Sequence, residues 1–321
     1  MITFTIAQND AGQRLDKFLV KALPGLPKSA LYRALRTRHI KVNQKRAIPG
    51  LMLTVNDIVA VYLRDVETAV RTQENDFLRA PLLVNILYED DHILLADKPQ
   101  GLLSHNGDNG WQDNLLDRIK HYAYHSGVFS PDNAHTFSPA LANRIDRNTG
   151  GIVIACKNAE ALRVMNEKIR TRQVKKHYLC RIHGKITPPS GELTHYLSKD
   201  SIVKKVNVYE NYRHGLLTAK TRYRTLSFNG KDTLLEVELL TGRTHQIRAQ
   251  LAHIGHPLLG DGKYGVGGAD RKDGNYGQLL YAYRIQFDFA ENEKNLLHYL
   301  HEKTFMVPEV WFAPKELWNH F

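Results

Sequence analysis

"ILYEDDHILLADKP", residues 86–99, is two apolar stretches around a Glu89-Asp90-Asp91 turn, the pattern of a β-hairpin. Outward from this hairpin the chain stays rich in strands. "GIVIAC" at 151–156 reads as a short buried strand, and "HYLCRIHG" at 177–184 as a strand by alternation. Residues 216–226 and 233–240 are two more. Residues 112–125 look helical, and 160–170 reads as a helix with Ala161, Leu162, Met165 and Ile169 at three- and four-residue intervals. Many strands, few helices and no regular strand–helix alternation predict an α+β domain, residues 85–321, with a mixed, largely antiparallel sheet. No fixed-period repeat or low-complexity tract is present.

Upstream, residues 65–84 lose periodicity and mix charges with Thr, Gln and Asn, which reads as a linker. Residues 1–64 form a small unit of different character. Leu15, Phe18, Leu19 and Ala22-Leu23 recur at helical spacing until Pro24-Gly25 stops the run. A second short helix has Pro27 near its start, Ala30, Leu31, Ala34 and Leu35 inward, and Lys28, Arg33 and Arg36 outward. Ile40 and Val42 then alternate with Lys41, a turn follows at Asn43-Gln44-Lys45, and apolar stretches at 51–55 and 58–63 read as strands.

Residues 1–65 hold eleven Lys/Arg against four Asp/Glu, so +7 of the chain's net +11 sits in a fifth of its 321 residues. Two small helices with a basic face, backed by a hairpin, suit a phosphate backbone. Each Lys or Arg that displaces a condensed counterion adds affinity that falls with salt. The candidate docking residues are Arg14, Lys17, Lys28, Arg33, Arg36, Lys41, Lys45 and Arg46.

Composition excludes other classes. Hydrophobic residues at 42% are enough for a core, so a largely disordered chain is ruled out. Cys156 and Cys180 cannot form a disulfide framework, no CxxC pair exists to hold zinc, and a reducing compartment fits. The N-terminus lacks the layout of a signal peptide, and no apolar run approaches the ~18 residues of a membrane span. A soluble, cytoplasmic, basic protein with a polyanionic partner and no membrane is expected.

Several motifs lead nowhere. Residues 260–265, "GDGKYG", match GxGxxG, yet seven glycines fall within 260–277 and no helix opens there, so a flexible loop is expected rather than a dinucleotide site. His121 and His125 lack the Glu of HExxH and read as surface histidines. Two segments differ in kind. Asn143-Arg144-Ile145-Asp146-Arg147-Asn148-Thr149-Gly150-Gly151 sets an Asp between arginines just before a buried strand, and turn chemistry alone needs no such pair. Residues 241–251, "TGRTHQIRAQL", leave a strand for a probable helix, dense in hydrogen-bonding side chains. On these residues alone, catalysis and a capped helix start stand level.

These two segments, with "DKPQGLLSH" at 97–105, "VKKHYLCRIHG" at 174–184 and "IGHPLLGDGKYG" at 254–265, resemble the RluA-type family of RNA pseudouridine synthases in order and spacing from about residue 86 to 289. Residues 13–63, with "RLDKFL" and "IKVNQKR", resemble the alpha-L RNA-binding domain. Arg38 stands where such domains often have Gly. The family resemblance implies an isomerisation: a uridine in RNA is cut at its glycosidic bond, turned and rejoined through ring carbon 5, without cofactor or metal.

By position, the resemblance makes Asp146 the catalytic aspartate, attacking the sugar or removing a sugar proton. Arg248 is implied as its paired arginine. Tyr178 is implied as the tyrosine against the target base, and Arg144 as the arginine that fills the gap left by the flipped nucleotide. Lys176 matches a basic residue common two places before the tyrosine. Asn143, Thr244, His245 and Gln246 complete the expected substrate-binding set. Two departures stand out: Asn143 and Tyr281 occupy positions where His is frequent. The appended domain favours ribosomal RNA as partner, with the enzyme acting as a monomer. The alternatives are transfer RNA as substrate, or a non-catalytic RNA-binding assembly factor that kept the fold.

Overall fold

The computed structural model describes the chain except residues 65, 67–74, 108–109, 132–135, 201–202, 204, 267–269, 271–276, 292, 321 and the side chains of 319–320. The N-terminal unit runs β1 (Ile2–Thr5), α1 (Leu15–Ala22), α2 (Lys28–Arg36), β2 (Ile40–Val42), β3 (Lys45–Arg46) and β4 (Ile58–Val61). Its strands pair antiparallel in the order β1-β4-β2-β3. Leu15, Phe18 and Leu19 of α1 and Leu31, Ala34 and Leu35 of α2 bury against Phe4, Ile40, Val59 and Val61 of the sheet. Asn43 and Gln44, at φ 49° and 64°, supply the two left-handed residues that a tight β2–β3 turn needs.

The strand expected at 51–55 does not form; the segment makes only an isolated bridge from Met52 to Arg14. Its backbone is spent elsewhere. The carbonyls of Leu51 and Pro49 accept from the amides of Leu15 (2.8 Å) and Asp16 (3.0 Å). A helix leaves its first amides unpartnered, and Arg14 offers α1 no side-chain cap, so this loop supplies the acceptors.

Residues 65 and 67–74 of the expected linker, 65–84, lie outside the described residues. Its described part is partly ordered: residues 75–79 form a 3₁₀ turn whose Phe77 buries against Ala123 and Phe129. Beyond it the chain forms β5 (Ile86–Glu89), β6 (Ile93–Lys98), α3 (Leu115–His125), β7 (Ala140–Leu141), β8 (Gly150–Cys156) and α4 (Ala159–Arg170). Then come β9 (Val174–His183), β10 (Ser190–Lys199), β11 (Val206–Tyr209), β12 (Leu217–Phe228), β13 (Asp232–Leu239), α5 (Gln246–His253), β14 (Leu280–Phe287) and β15 (Thr304–Met306). One eleven-stranded sheet results, ordered β11-β10-β12-β13-β9-β14-β8-β6-β5, with β15 on β14 and β7 on β8. Among the described strands only the β14–β8 pair is parallel, so the sheet is mixed and largely antiparallel as predicted.

Both faces of its centre are covered, which is why "GIVIAC" reads as an unbroken apolar run. Ile152, Ile154 and Cys156 face a core with Ile93, Leu95 and Met165 of α4. Val153 and Ala155 face the opposite core with Leu94, Leu115 and Ile119 of α3, and Ile247 and Leu251 of α5. Tyr178 and Cys180 lie on this second face. Both cysteines are buried, and burial pushes the Cys156 thiol up to about 12.

The Gly150-Gly151 pair permits the parallel contact. A Cβ at Gly151 (φ 113°) would lie 2.2 Å from the Ala282 carbonyl oxygen, and one at Gly150 would lie 2.3 Å from the Tyr281 ring. The Tyr281 hydroxyl donates to Asp97 at 2.7 Å, so this departure from the frequent His is built into the packing.

The two units also touch. The buried Asp10 carboxylate accepts from the Thr136 amide (3.0 Å) and hydroxyl, Gln13 Nε2 donates to the same hydroxyl (3.0 Å), and Asn9 accepts from the first amide of α4 (3.3 Å). No helix among the described residues is long and apolar enough to cross a membrane.

Candidate active site

The loop between β7 and β8 presents Asp146 on the floor of a cleft of about 710 Å³, a volume suited to one nucleotide. The motif "DKPQGLLSH" cradles this loop. Ser104 Oγ donates to the Ile145 carbonyl (2.7 Å) and accepts from its amide (3.2 Å). The Gly101 amide donates to the Arg147 carbonyl, and Arg147 Nε donates back to the Gly101 carbonyl, both at 2.9 Å. Lys98, wholly buried, donates from Nζ to the carbonyls of Pro99 (3.0 Å), Leu102 (2.7 Å) and Arg147 (3.0 Å). Burial pushes this ammonium down to about 7, against the pull of Asp146 and Asp97. Asn143 Oδ1 accepts from the Ile154 amide (2.7 Å), so the Asn found at a frequent-His position straps the loop to β8.

Arg248, on α5, reaches the loop from the opposite wall. Its NH1 donates to Asp146 Oδ2 at 2.8 Å, while Nε and NH2 clamp Asp261 at 2.7 and 2.8 Å. Asp261 is fully buried and also accepts from the amides of Lys263 (2.9 Å) and Tyr264 (3.1 Å). Burial pushes the Asp261 carboxyl up, but Arg248 and the two amides outweigh it and hold it below the ordinary carboxylate range. The guanidinium is likewise held charged: burial disfavours it, and the two carboxylates more than compensate. The expected flexible glycine loop is therefore a pinned turn over 260–265, with Gly265 N–H closing onto the Asp261 carbonyl (2.8 Å). Residues 267–269 and 271–276 of that tract lie outside the described residues.

Asp146 Oδ1 has no hydrogen-bond partner among the described residues, and the side chain is 27% exposed. One carboxylate oxygen is thus held and the other open to the cleft. Tyr178, on β9, lines the same cleft; burial first, and then the charge of Asp146, push its phenol upward, so it stays a proton donor at neutral pH. Lys176, two residues earlier, lines the cleft without an ion-pair partner among the described residues, and burial pushes its ammonium down. Arg144 is exposed at the mouth, 3.3 Å from His105. Thr244 is exposed on the rim, and His245 stands in the wall with Nε2 3.8 Å from Asp146 Oδ2. Gln246 spends its amide inside the protein, donating to Thr221 and the Lys220 carbonyl and accepting from Thr241 and the Arg243 amide.

Sequence reading assigned no part to Lys98, Ser104, Asp261 or Tyr264. All four fall within the quoted motifs, but the partners that tie them to the site, Arg147, Ile145, Arg248 and His245 respectively, lie 49, 41, 13 and 19 residues away, and spacing alone could not pair them.

Among the described residues, His195, Glu210 and His253 are the one trio close enough to share a metal ion. Gln250 Nε2 shares its two hydrogens among the Ala219 and Leu193 carbonyls (3.2 and 3.5 Å) and His195 Nδ1 (3.1 Å). His195 therefore points Nε2–H at Glu210 (3.6 Å), which also pairs with His253 (2.7 Å). A metal-bound His donates from its other nitrogen; here that nitrogen accepts, which fits a hydrogen-bonded cluster and not a ligand set. Elsewhere, His121 holds the Ala80 carbonyl at 2.7 Å.

The docking residues ring α1, α2 and the small hairpin. Lys17, Lys28, Arg33, Arg36, Lys45 and Arg46 are exposed; Lys41 is half-buried, lying over the Tyr62 ring. Arg14 differs, being clamped on Asp16 at 3.1 and 2.9 Å.

Residues 92–253 match the family described as RNA pseudouridylate synthase, and residues 13–59 match the S4 domain. The chain is 32% identical over 300 residues to ribosomal large subunit pseudouridine synthase C of Haemophilus ducreyi, covering 91% of this chain and 89% of that one. It is 31% identical over 298 residues to the Vibrio cholerae protein of the same name, covering 91% and 90%. Among solved structures, human RNA pseudouridylate synthase domain containing 4 superposes with a TM-score of 0.54 at 22% identity, covering 71% of this chain and 89% of that one.

Proposed function

The chain belongs to the RNA pseudouridylate synthase family, and from that premise we propose that it isomerises uridine in large-subunit ribosomal RNA with Asp146, Tyr178 and Arg248 as its catalytic residues. The observation that carries the site is the 2.8 Å contact between Arg248 and Asp146 on the cleft floor, with the second carboxylate oxygen open. Arg248 keeps the carboxylate ionised and aimed, and Tyr178 offers a ring face to the base and a hydroxyl for proton transfer. The N1–C1′ bond breaks, a C5–C1′ bond forms, the C5 proton leaves to solvent and N1 takes up a proton in its place. Arg144, at the mouth, takes the gap left by the flipped nucleotide, which offsets part of the few kcal/mol that unstacking costs.

Residues 1–64 act as the docking module, 65–84 as the linker and 85–321 as the catalytic domain. The match to the S4 domain and the exposed cations support docking on structured RNA by shape and phosphate. The shared name of the bacterial relatives favours large-subunit ribosomal RNA over transfer RNA. Mapping pseudouridines in both RNAs, from cells with and without the protein, tests this. Sites lost only from large-subunit ribosomal RNA are expected; losses confined to transfer RNA would reassign the substrate.

A further inference from the structure

Among the described residues lining the cleft, Arg172 (φ 63°) and His245 (φ 51°) have a left-handed backbone, and His245 stands between the end of β13 and the first turn of α5. A non-glycine side chain held there is strained, and such strain collects where a side chain is aimed for a purpose. What holds it is Tyr264, from the turn pinned by Asp261. The Tyr264 hydroxyl lies 2.9 Å from His245 Nδ1. The same hydroxyl accepts from the Val206 amide at 2.8 Å. Among the described residues the hydroxyl's own proton has no acceptor other than His245 Nδ1, and donated there it puts the imidazole proton on Nε2. That nitrogen faces Asp146 Oδ2 at 3.8 Å, the oxygen that Arg248 holds.

We propose that Tyr264 is a positioning residue: its hydroxyl locks His245 as the Nε2–H tautomer, giving Asp146 an uncharged second donor beside Arg248. The proposal rests on the reading of Asp146 as the reactive carboxylate. The 3.8 Å gap closes in the substrate complex, as catalytic hydrogen bonds commonly do. A neutral donor suits the place, because a second full charge on the carboxylate would blunt its reactivity.

The groups around His245 are Asp146, Arg248, Lys263, Asp261 and Tyr264. Burial leads in disfavouring the imidazolium, Arg248 and Lys263 add to it, and Asp146 and Asp261 oppose it; the net direction is down. Tyr264 is itself fixed, by its amide on Asp261 (3.1 Å) and by the Arg248 guanidinium 5.3 Å over its ring. One network thus ties Asp261, Arg248, Tyr264 and His245 to a single carboxylate.

The test combines nitrogen-15 NMR of the full chain with turnover on uridine-containing RNA, using Tyr264→Phe and His245→Gln. The spectrum of His245→Gln identifies the His245 signals. The wild type is expected to show one tautomer, protonated at Nε2, and Tyr264→Phe a mixture. Tyr264→Phe, folded by its melting curve, should lower kcat about three- to tenfold, the worth of one hydrogen bond, with KM unchanged. In the double variant with His245→Gln, which has no imidazole to orient, Tyr264→Phe should cause no further loss of kcat. A wild-type His245 protonated at Nδ1, or a Tyr264→Phe enzyme with wild-type kcat, overturns the proposal. Full turnover by Asp146→Asn would instead sink the reading of Asp146, while the tautomer result would stand by itself.

Discussion

Arg248 holds two carboxylates at once, and the two contacts differ in kind. Asp261 is wholly buried and clamped by two parallel hydrogen bonds, whereas Asp146 takes one and keeps the other oxygen for the cleft. Asp261 therefore orients the guanidinium, and the guanidinium orients Asp146. Replacing Arg248 with Met strands the Asp261 charge in the interior. The expected loss is about 3–5 kcal/mol of stability, read by denaturant unfolding, together with loss of turnover. An undiminished unfolding midpoint would mean that Asp261 is held without Arg248. The motif around Arg248 was readable in the sequence and so was its pairing with Asp146, through family resemblance. Asp261 was not, because its neighbours Gly260 and Gly262 carry the composition of a loose loop, and burial of a carboxylate leaves no local pattern.

The hairpin of β5 and β6 does more than start the sheet: its end delivers Lys98 beneath the Asp146 loop. Substituting Lys98 with Met leaves the Pro99 and Leu102 carbonyls without their donor, the Arg147 carbonyl keeping the Gly101 amide, and should cost on the order of 3 kcal/mol. It should also change how stability responds to pH. The unfolded lysine titrates near 10.4 and the folded one at about 7, so the unfolded chain binds more protons between these values. Stability from this group therefore rises as pH climbs from about 7 towards 10, and melting curves of Lys98→Met should lack that rise. An identical pH slope in the two proteins would contradict it. In the N-terminal unit, α2 turns Lys28, Arg33 and Arg36 to solvent. Removing Arg33 or Arg36 should weaken binding across RNA sequences and lower the salt slope by up to ~0.9 per lost contact. An unchanged slope would move the RNA face elsewhere. Periodicity found α1, α2 and α4 because each buries one stripe. It missed β10, where only His195 and Leu197 are buried near the sheet's end, and it misread 51–55, whose Leu51 and Leu53 pack on the core while the Leu51 carbonyl serves α1.

Taken entire, the molecule separates affinity from chemistry. Most of the net charge lies in residues 1–65, whereas within the cleft Arg248 is set against the carboxylates of Asp146 and Asp261. The polar contacts of Asp10, Gln13 and Asn9 with Thr136 and α4 join the two parts, so docking of the first sets where the second meets the RNA. Neither these contacts nor the eleven-stranded sheet order could be read in advance, since both depend on pairings far apart in the chain. What binds the whole together functionally is the claim that Asp146 is the reactive carboxylate. RNA labelled with tritium at uridine C5 gives its test, because forming the C5–C1′ bond expels that hydrogen to water. The wild-type chain is expected to release tritium and leave pseudouridine in the RNA, and Asp146→Asn, equally folded and RNA-bound, to release none. Release by Asp146→Asn at the wild-type rate would contradict the assignment.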